Sequence, residues 1–160
     1  MSKRKVLMDV QNETRPGRWQ PVVQASQIGA GLQLVCIVLP LLDLWIFGSI
    51  ERHVAAAYPD WGPAEVAGDR NAIAIYLVTV GAVGLLGWLV TIWTARKGRG
   101  VRATVTTLFV LGMITLITTA GISGGAYEQI VPLWLGLTLL LILLLPGATA
   151  MVAAWSRSRR

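Results

Sequence analysis

The sequence predicts an all-α fold: a polytopic membrane protein built as a four-transmembrane-helix antiparallel bundle that runs up, down, up and down. Three observations carry this. Hydrophobic residues make up 54% of the 160-residue chain and charged residues 14%. The apolar residues arrive in four blocks, each long enough to cross a hydrocarbon core of about 30 Å. Basic residues gather beside alternate ends of those blocks, as orientation in a bilayer requires.

Taken in order, residues 1–27 are polar and basic and are broken by Pro16, Gly17 and Pro21. Such a stretch cannot bury enough apolar surface to fold alone. It is read as a flexible basic cytoplasmic tail, with Trp19 to Gln27 resting at the lipid headgroups. A cleavable leader would place its apolar segment nearer the start, so the first span is expected to stay in the mature protein. That span is Ile28 to Ile50, IGAGLQLVCIVLPLLDLWIFGSI, interrupted by Pro40 and by one carboxylate, Asp43. As a helix it reaches roughly 35 Å. Residues 51–72 form a polar loop with room for one short helix, for which Asp60 or Gly62 before Pro63 is the start signal. The second span, residues 72–95, leads into the basic turn RKGRGVR, which forces the third span, 103–122, to return antiparallel. The loop SGGAYEQI precedes the fourth span, 131–155, and residues 156–160 form a second basic cytoplasmic tail. Four spans consume residues 28–155 and leave one domain.

Orientation follows from the basic residues. Lys3, Arg4, Lys5, Arg15 and Arg18 lie before the first span, Arg96, Lys97, Arg99 and Arg102 in the middle turn, and Arg157, Arg159 and Arg160 at the end, against Arg52 and Arg70 in the other two loops. The positive-inside rule then puts both termini and the middle turn on the cytoplasmic side of the membrane that the chain crosses. The aromatic residues agree: Trp19, Trp93 and Trp155 fall at one interface and Trp45, Trp61, Tyr127 and Trp134 at the other.

The same basic residues account for the net charge of +6, so no nucleic-acid partner is expected. At the termini they can hold anionic lipid headgroups, at about 1 kcal/mol per residue near the surface. Cys36 is the only cysteine, which excludes an intramolecular disulfide or a paired-thiol centre. His53, Glu51, Asp60, Glu65 and Asp69 share a loop but fit no metal-ligand spacing. No histidine lies within a span to hold haem, and Cys36 has no neighbouring base. No metal, no cofactor and no enzymatic activity are expected.

Helices associate in a bilayer through small residues and side-chain hydrogen bonds. The second span offers Gly81, Gly84 and Gly87, the last making a small-xxx-small pair with Thr91. The third offers Gly112, Thr115 and Thr119 on one face. These two faces are expected to meet. Pro40 and Pro146 are expected to kink the first and fourth spans.

The candidate site is Asp43, roughly 12 Å inside the outer edge of the core by helical rise. An intramembrane carboxylate is costly unless it is paired, hydrogen-bonded or protonated. Matching depths along the other spans brings Thr79, Thr115 and Thr138 near its level, with Tyr76 and Thr118 close by, and no Lys, Arg or His is available within a span. Asp43 is therefore expected to be protonated or held by hydroxyls, either as an intramembrane proton or cation site or as a neutral group that fixes helix register. Hydroxyls on spans commonly bond back to their own helix instead.

The basic leading segment, the loop AYPDWGPAEVAGDRNA and the turn ARKGRGVRAT resemble the small four-span membrane proteins of high-GC Gram-positive bacteria, a resemblance that covers the whole chain and implies the fold but no activity. The single acidic residue in the first of four helices is also similar to that of the small multidrug-resistance exporters. This chain is longer, has aspartate in place of glutamate and carries a long loop that family lacks. Two functional expectations result. The leading one is a non-enzymatic accessory or scaffolding subunit that associates with itself or with a larger membrane complex. The other is a small oligomeric proton-coupled transporter or channel using Asp43.

Overall fold

A computed structural model of the chain describes residues 17–121, 124–127 and 130–156. Residues 1–16 of the stretch read as a tail, part of the loop SGGAYEQI and the closing residues 157–160 lie outside the described residues. Five α-helices follow one another: α1 Gln20–Leu42, α2 Ser49–Ala57, α3 Pro63–Lys97, α4 Val101–Gly121 and α5 Leu133–Ser156, with a π-helical turn, Asp43–Phe47, continuing α1. Four segments are long and apolar enough to cross a membrane: Gln20–Phe47, Pro63–Lys97, Val101–Thr119 and Trp134–Ser156. The all-α, multi-pass bundle expected from the sequence is what the chain forms.

Three boundaries differ from those read in the sequence. The first span begins at Gln20 instead of Ile28 because Pro21 sits in the first helical turn, where a missing N–H costs nothing. Val22, Val23, Ala25 and Ser26 are buried in the bundle, so this stretch is not a surface segment. At its other end the span stops at Phe47, and Ile50 belongs to a separate helix. The short loop helix is real, but it starts at Ser49. Gly62 and Pro63 instead start the second span itself, where Glu65 accepts the Gly62 N–H at 2.8 Å while the Glu65 N–H reaches the Gly62 carbonyl at 3.1 Å. This reciprocal pairing satisfies first-turn donors. The resulting helix has 35 residues, roughly 52 Å against a core of about 30 Å, so α3 extends well past the apolar layer.

The seam between α1 and α3 organises the bundle. On α1 the buried positions Val22, Ser26, Gly29, Gln33, Cys36, Pro40 and Asp43 recur at alternating steps of four and three. On α3 the matching row is Ala74, Leu77, Gly81, Gly84, Trp88, Thr91 and Ala95, of which Gly84 and Trp88 are half-buried. A repeat of 3.5 residues keeps one stripe of each helix facing the other. Large residues enter the gaps left by glycines on both sides. A β-carbon on Gly29 would lie 2.7 Å from the Trp88 ring, one on Gly81 2.7 Å from Ile37 Cγ1, and one on Gly84 2.8 Å from Gln33 Oε1.

The expected meeting of the α3 glycine face with the third span is therefore corrected. Gly81 and Gly84 receive α1, because Gln33 and Ile37 supply a complementary ridge at i, i+4 spacing. Gly87 alone approaches α4, with Leu108 3.8 Å from its would-be β-carbon, and Gly112 has nothing within 4 Å. Pro40 and Pro146 lie inside α1 and α5, and both helices run on through them; Pro40 is buried on the seam, three residues before the π turn.

Two apolar clusters close the ends. Val22, Val23, Ala95, Val101, Val105 and Ala154 pack at the basic-turn end. There Arg102 Nε donates to the Ala154 carbonyl at 3.1 Å, Trp155 Nε1 donates to Thr106 Oγ1 at 3.1 Å, and the Lys97 ammonium sits 3.8 Å over the Trp93 ring. Ile50, Val54, Val66, Ile73, Leu77, Val131 and Leu135 pack at the loop end, so α2 is the lid of that cluster.

Gly81 and Gly112 give a matched comparison, because alanine improves the helix propensity of both by about 1 kcal/mol. Gly81→Ala forces a β-carbon into Ile37 and should cost a net ~1–3 kcal/mol, whereas Gly112→Ala should be neutral or stabilising. Thermal unfolding of the two variants in detergent checks this, and equal midpoints would mean that the seam is not where the helices touch.

Candidate functional site

Asp43 begins the π turn. Its N–H is shared between the Leu39 and Pro40 carbonyls, and Gly48, at φ 59°, returns its N–H to the Asp43 carbonyl at 2.7 Å. A left-handed conformation of this kind is open to glycine at little steric cost. The widened turn keeps Asp43 on the buried seam, 1% exposed, and the reversal at Gly48 brings the start of α2 onto its carboxylate. Oδ1 accepts the Ser49 N–H at 3.1 Å and also the Ser49 hydroxyl, while Oδ2 accepts the Ile50 N–H at 2.8 Å.

Those donors belong to the first turn of α2, whose own N-cap residue, Gly48, has no side chain. Asp43 supplies the missing cap from the preceding helix, and a carboxylate at a helix N-terminus also meets the favourable end of the helix dipole. The physical demand recognised in the sequence, that a buried carboxylate must be hydrogen-bonded, is met by one serine hydroxyl and two backbone N–H groups.

The threonines and the tyrosine placed near its level do not reach it. Thr79 Oγ1 donates to the Ile75 carbonyl at 2.8 Å, Thr115 to Leu111 at 2.9 Å and Thr138 to Trp134 at 2.7 Å. Each hydroxyl is satisfied within its own helix. Tyr76 pairs with Thr119 Oγ1 at 3.0 Å, a polar tie between α3 and α4. Helical rise alone mislaid Asp43, because the first span ends at Phe47 and the carboxylate lies close to the loop end of its helix.

Two polar residues on the α1–α3 seam carry more information than those threonines. Gln33 is 4% exposed and accepts a hydrogen bond from Trp88 Nε1 at 3.4 Å. Ser26 is fully buried, and its hydroxyl has no partner among the described residues. A glutamine in the middle of an apolar run is a signal that the sequence does contain, and Gly84 on the facing helix marks the room it needs.

At the loop end an aromatic group ties α2 and α3 to residues 124–127. The Tyr58 and Trp61 rings stack at 3.9 Å, Tyr58 meets Tyr127 edge-on at 5.2 Å, and the Tyr58 hydroxyl accepts the Ala126 N–H at 3.1 Å. His53 stacks on Tyr127 at 5.4 Å, and the Tyr127 hydroxyl donates to Asp69. An ion pair of 2.7 Å joins Arg70 to Glu51. Charged residues of the polar loop thus serve partly as ties between helices. Among the described residues no group of three or more His, Cys, Asp or Glu side chains is placed to hold a metal.

Asp43→Asn keeps one acceptor oxygen and turns an NH2 group against a backbone donor, so it should destabilise the fold by ~1–3 kcal/mol, the cost of a buried polar group left unpaired. Ser49→Ala should cost less, because both backbone donors remain capped. Thermal melts read both, and wild-type stability in Asp43→Asn would rule out the cap. Tyr127 gives a pH dependence. Burial, then the hydrogen bond to Asp69, holds its phenol above the ordinary tyrosine range. Since the folded value lies above the unfolded one, this contribution to stability is complete below about pH 10 and is lost as pH rises beyond it. In a spectrophotometric titration, subtracting the Tyr127→Phe curve from that of the wild type should leave one phenol ionising above the usual range; an ordinary midpoint would contradict the burial of Tyr127. Comparison of the chain with protein-family models, with curated proteins and with solved structures finds no match to any of the three.

Proposed function

We propose that this chain is a non-enzymatic integral membrane protein that acts as an accessory or scaffolding subunit, associating with copies of itself or with a larger membrane complex. The observation that carries this reading is the use made of Asp43. The carboxylate of the first span is committed to capping α2, the threonines grouped with it bond to their own helices, and Tyr76 pairs with Thr119. A transport cycle through Asp43 would have to break the loop-end structure each time the group changed protonation.

The lightly packed α4 supports association. In its most apolar 18-residue stretch 11% of the residues are buried, half the 22% of the corresponding stretches of the other three spans. Val110, Leu111, Ile114 and Ile117 all lie exposed along it, a surface that lipid or a neighbouring span can cover. The reading includes orientation in a bacterial plasma membrane with the 98–100 turn and both termini in the cytoplasm, supported by the concentration of basic residues there.

Native mass measurement of the tagged protein, extracted from its host in a mild detergent, tests the proposal. The expected result is a particle larger than one chain, with foreign subunits in fixed ratio or with copies of the chain; a monodisperse monomer would overturn it. In sealed right-side-out vesicles an impermeant maleimide should label Ala55→Cys but spare Arg99→Cys, against the low background set by buried Cys36.

A further inference from the structure

Between the two packed ends, α3, α4 and α5 stand apart around a cavity of about 240 Å³. Its walls include Gly84, Trp88, Leu108, Gly112, Leu116 and Gly147, and Gln33 closes the side toward α1. Gln33 is the fourteenth residue of the span Gln20–Phe47, so about 20 Å of helix lies on either side of it. The cavity is at mid-membrane. Glycines make it: Gly112 faces open space and Gly87 has a single neighbour at van der Waals distance. The ends hold the helices apart through the Arg102 and Trp155 bonds on one side and the Tyr76–Thr119 bond on the other.

The second observation is the state of Gln33. Its carboxamide oxygen takes the Trp88 indole N–H, which leaves the NH2 group with two protons to donate. The residue as a whole is 4% exposed, and its amide lies in the wall of the cavity. Gln33 lines both this cavity and a smaller one of about 50 Å³ beside Cys36 and Leu77. In hydrocarbon an unpaired amide is costly.

We infer that the cavity binds an uncharged lipophile that presents one carbonyl oxygen to the Gln33 amide and lays an apolar chain between α3 and α4. Its walls are mostly apolar, and the hydroxyls of Thr91 and Thr115, which also line it, donate to carbonyls of their own helices. An apolar ligand with one acceptor therefore suits it better than a bound water with its two to four polar partners. A dry apolar cavity of about 150 Å³ already holds a benzene ring, so this one has room for a ring or several methylenes. Val83 and Leu111 line the cavity and are also 65% and 54% exposed. They place its mouth toward the lipid between α3 and α4, where the remainder of a chain can leave. A lipid quinone and a fatty-acyl ester both carry this chemistry. The inference is independent of whether the chain assembles with partners.

Three probes of similar length test it on the full chain in a detergent without carbonyl groups: 2-decyl-1,4-benzoquinone, methyl dodecanoate and dodecane. Binding is read as adducts in native mass spectrometry and as a rise in unfolding temperature. At least one carbonyl probe should bind about tenfold more tightly than dodecane, the ratio expected of one net hydrogen bond, and whichever does so identifies the quinone or the acyl ester as the source. Gln33→Leu should abolish the preference while leaving the weaker dodecane binding in place. Gly112→Leu should fill the cavity and remove binding of all three. Should Gln33→Leu fail to fold, Gly112→Leu still decides the matter, because Gly112 has empty space beside it. Equal binding of dodecane and the carbonyl probes, an unchanged preference in Gln33→Leu, or no binding by any probe would overturn the inference.

Discussion

The bundle depends on the reciprocal fit of α1 and α3, in which Trp88 lies on Gly29, Gln33 on Gly84 and Ile37 on Gly81. In lipid there is no hydrophobic drive to bring helices together, so contact must come from surfaces that approach closely over a long stretch. Here the stretch covers nearly the whole of α1, because both helices repeat their inward residues every 3.5 positions. The α1–α3 pair is the frame. Helix α5 packs against α1 and α4, and among the described residues α4 touches α3 and α5 alone; it is held chiefly by its two ends. This order of packing also explains why the void lies beside α4.

Much of this architecture was legible in the sequence because it follows from residue class and length. Four apolar blocks and a basic turn between the second and third each have one physical reading, whereas Gly62 before Pro63 announces a helix start but not that the helix is the second span itself. Which helices pair was less accessible. Gly81, Gly84 and Gly87 announce a close approach on α3, but a row of glycines does not name its partner; the answer lay in Gly29 and in the bulk at positions 33 and 37. Span limits failed at both ends of α1 for local reasons. Pro21 acts as a helix starter there, and the π turn with Gly48 detaches Ile50 from the apolar run that contains it.

Asp43 shows where depth counting reaches its limit. The sequence singles it out as a carboxylate in need of donors. Its donors come from a helix that starts six residues later in the chain, after a reversal of direction, and no spacing rule for a single helix describes that arrangement. Gln33 is the opposite case, a residue plain in the sequence whose weight appears only when Trp88 and the cavity are set around it. Both are buried polar groups on the same stripe of α1, one with its hydrogen bonds complete and one with a donor to spare.

The π turn has a mechanical consequence as well. By widening the last turn of α1 it turns Trp45, Ile46 and Phe47 outward at nearly one level, with exposures of 86%, 68% and 50%. Three bulky apolar side chains, one of them an interfacial tryptophan, form a collar that sets the height of α1 in the bilayer. A helix free to slide would meet a thinner or thicker membrane by shifting along its axis. This one is fixed at the collar, and the buried carboxylate beside it prevents rotation. Hydrophobic mismatch must therefore be absorbed by tilt, or at the opposite end, where Lys97 and Arg102 lie against tryptophan rings on stems long enough to reach water at different depths.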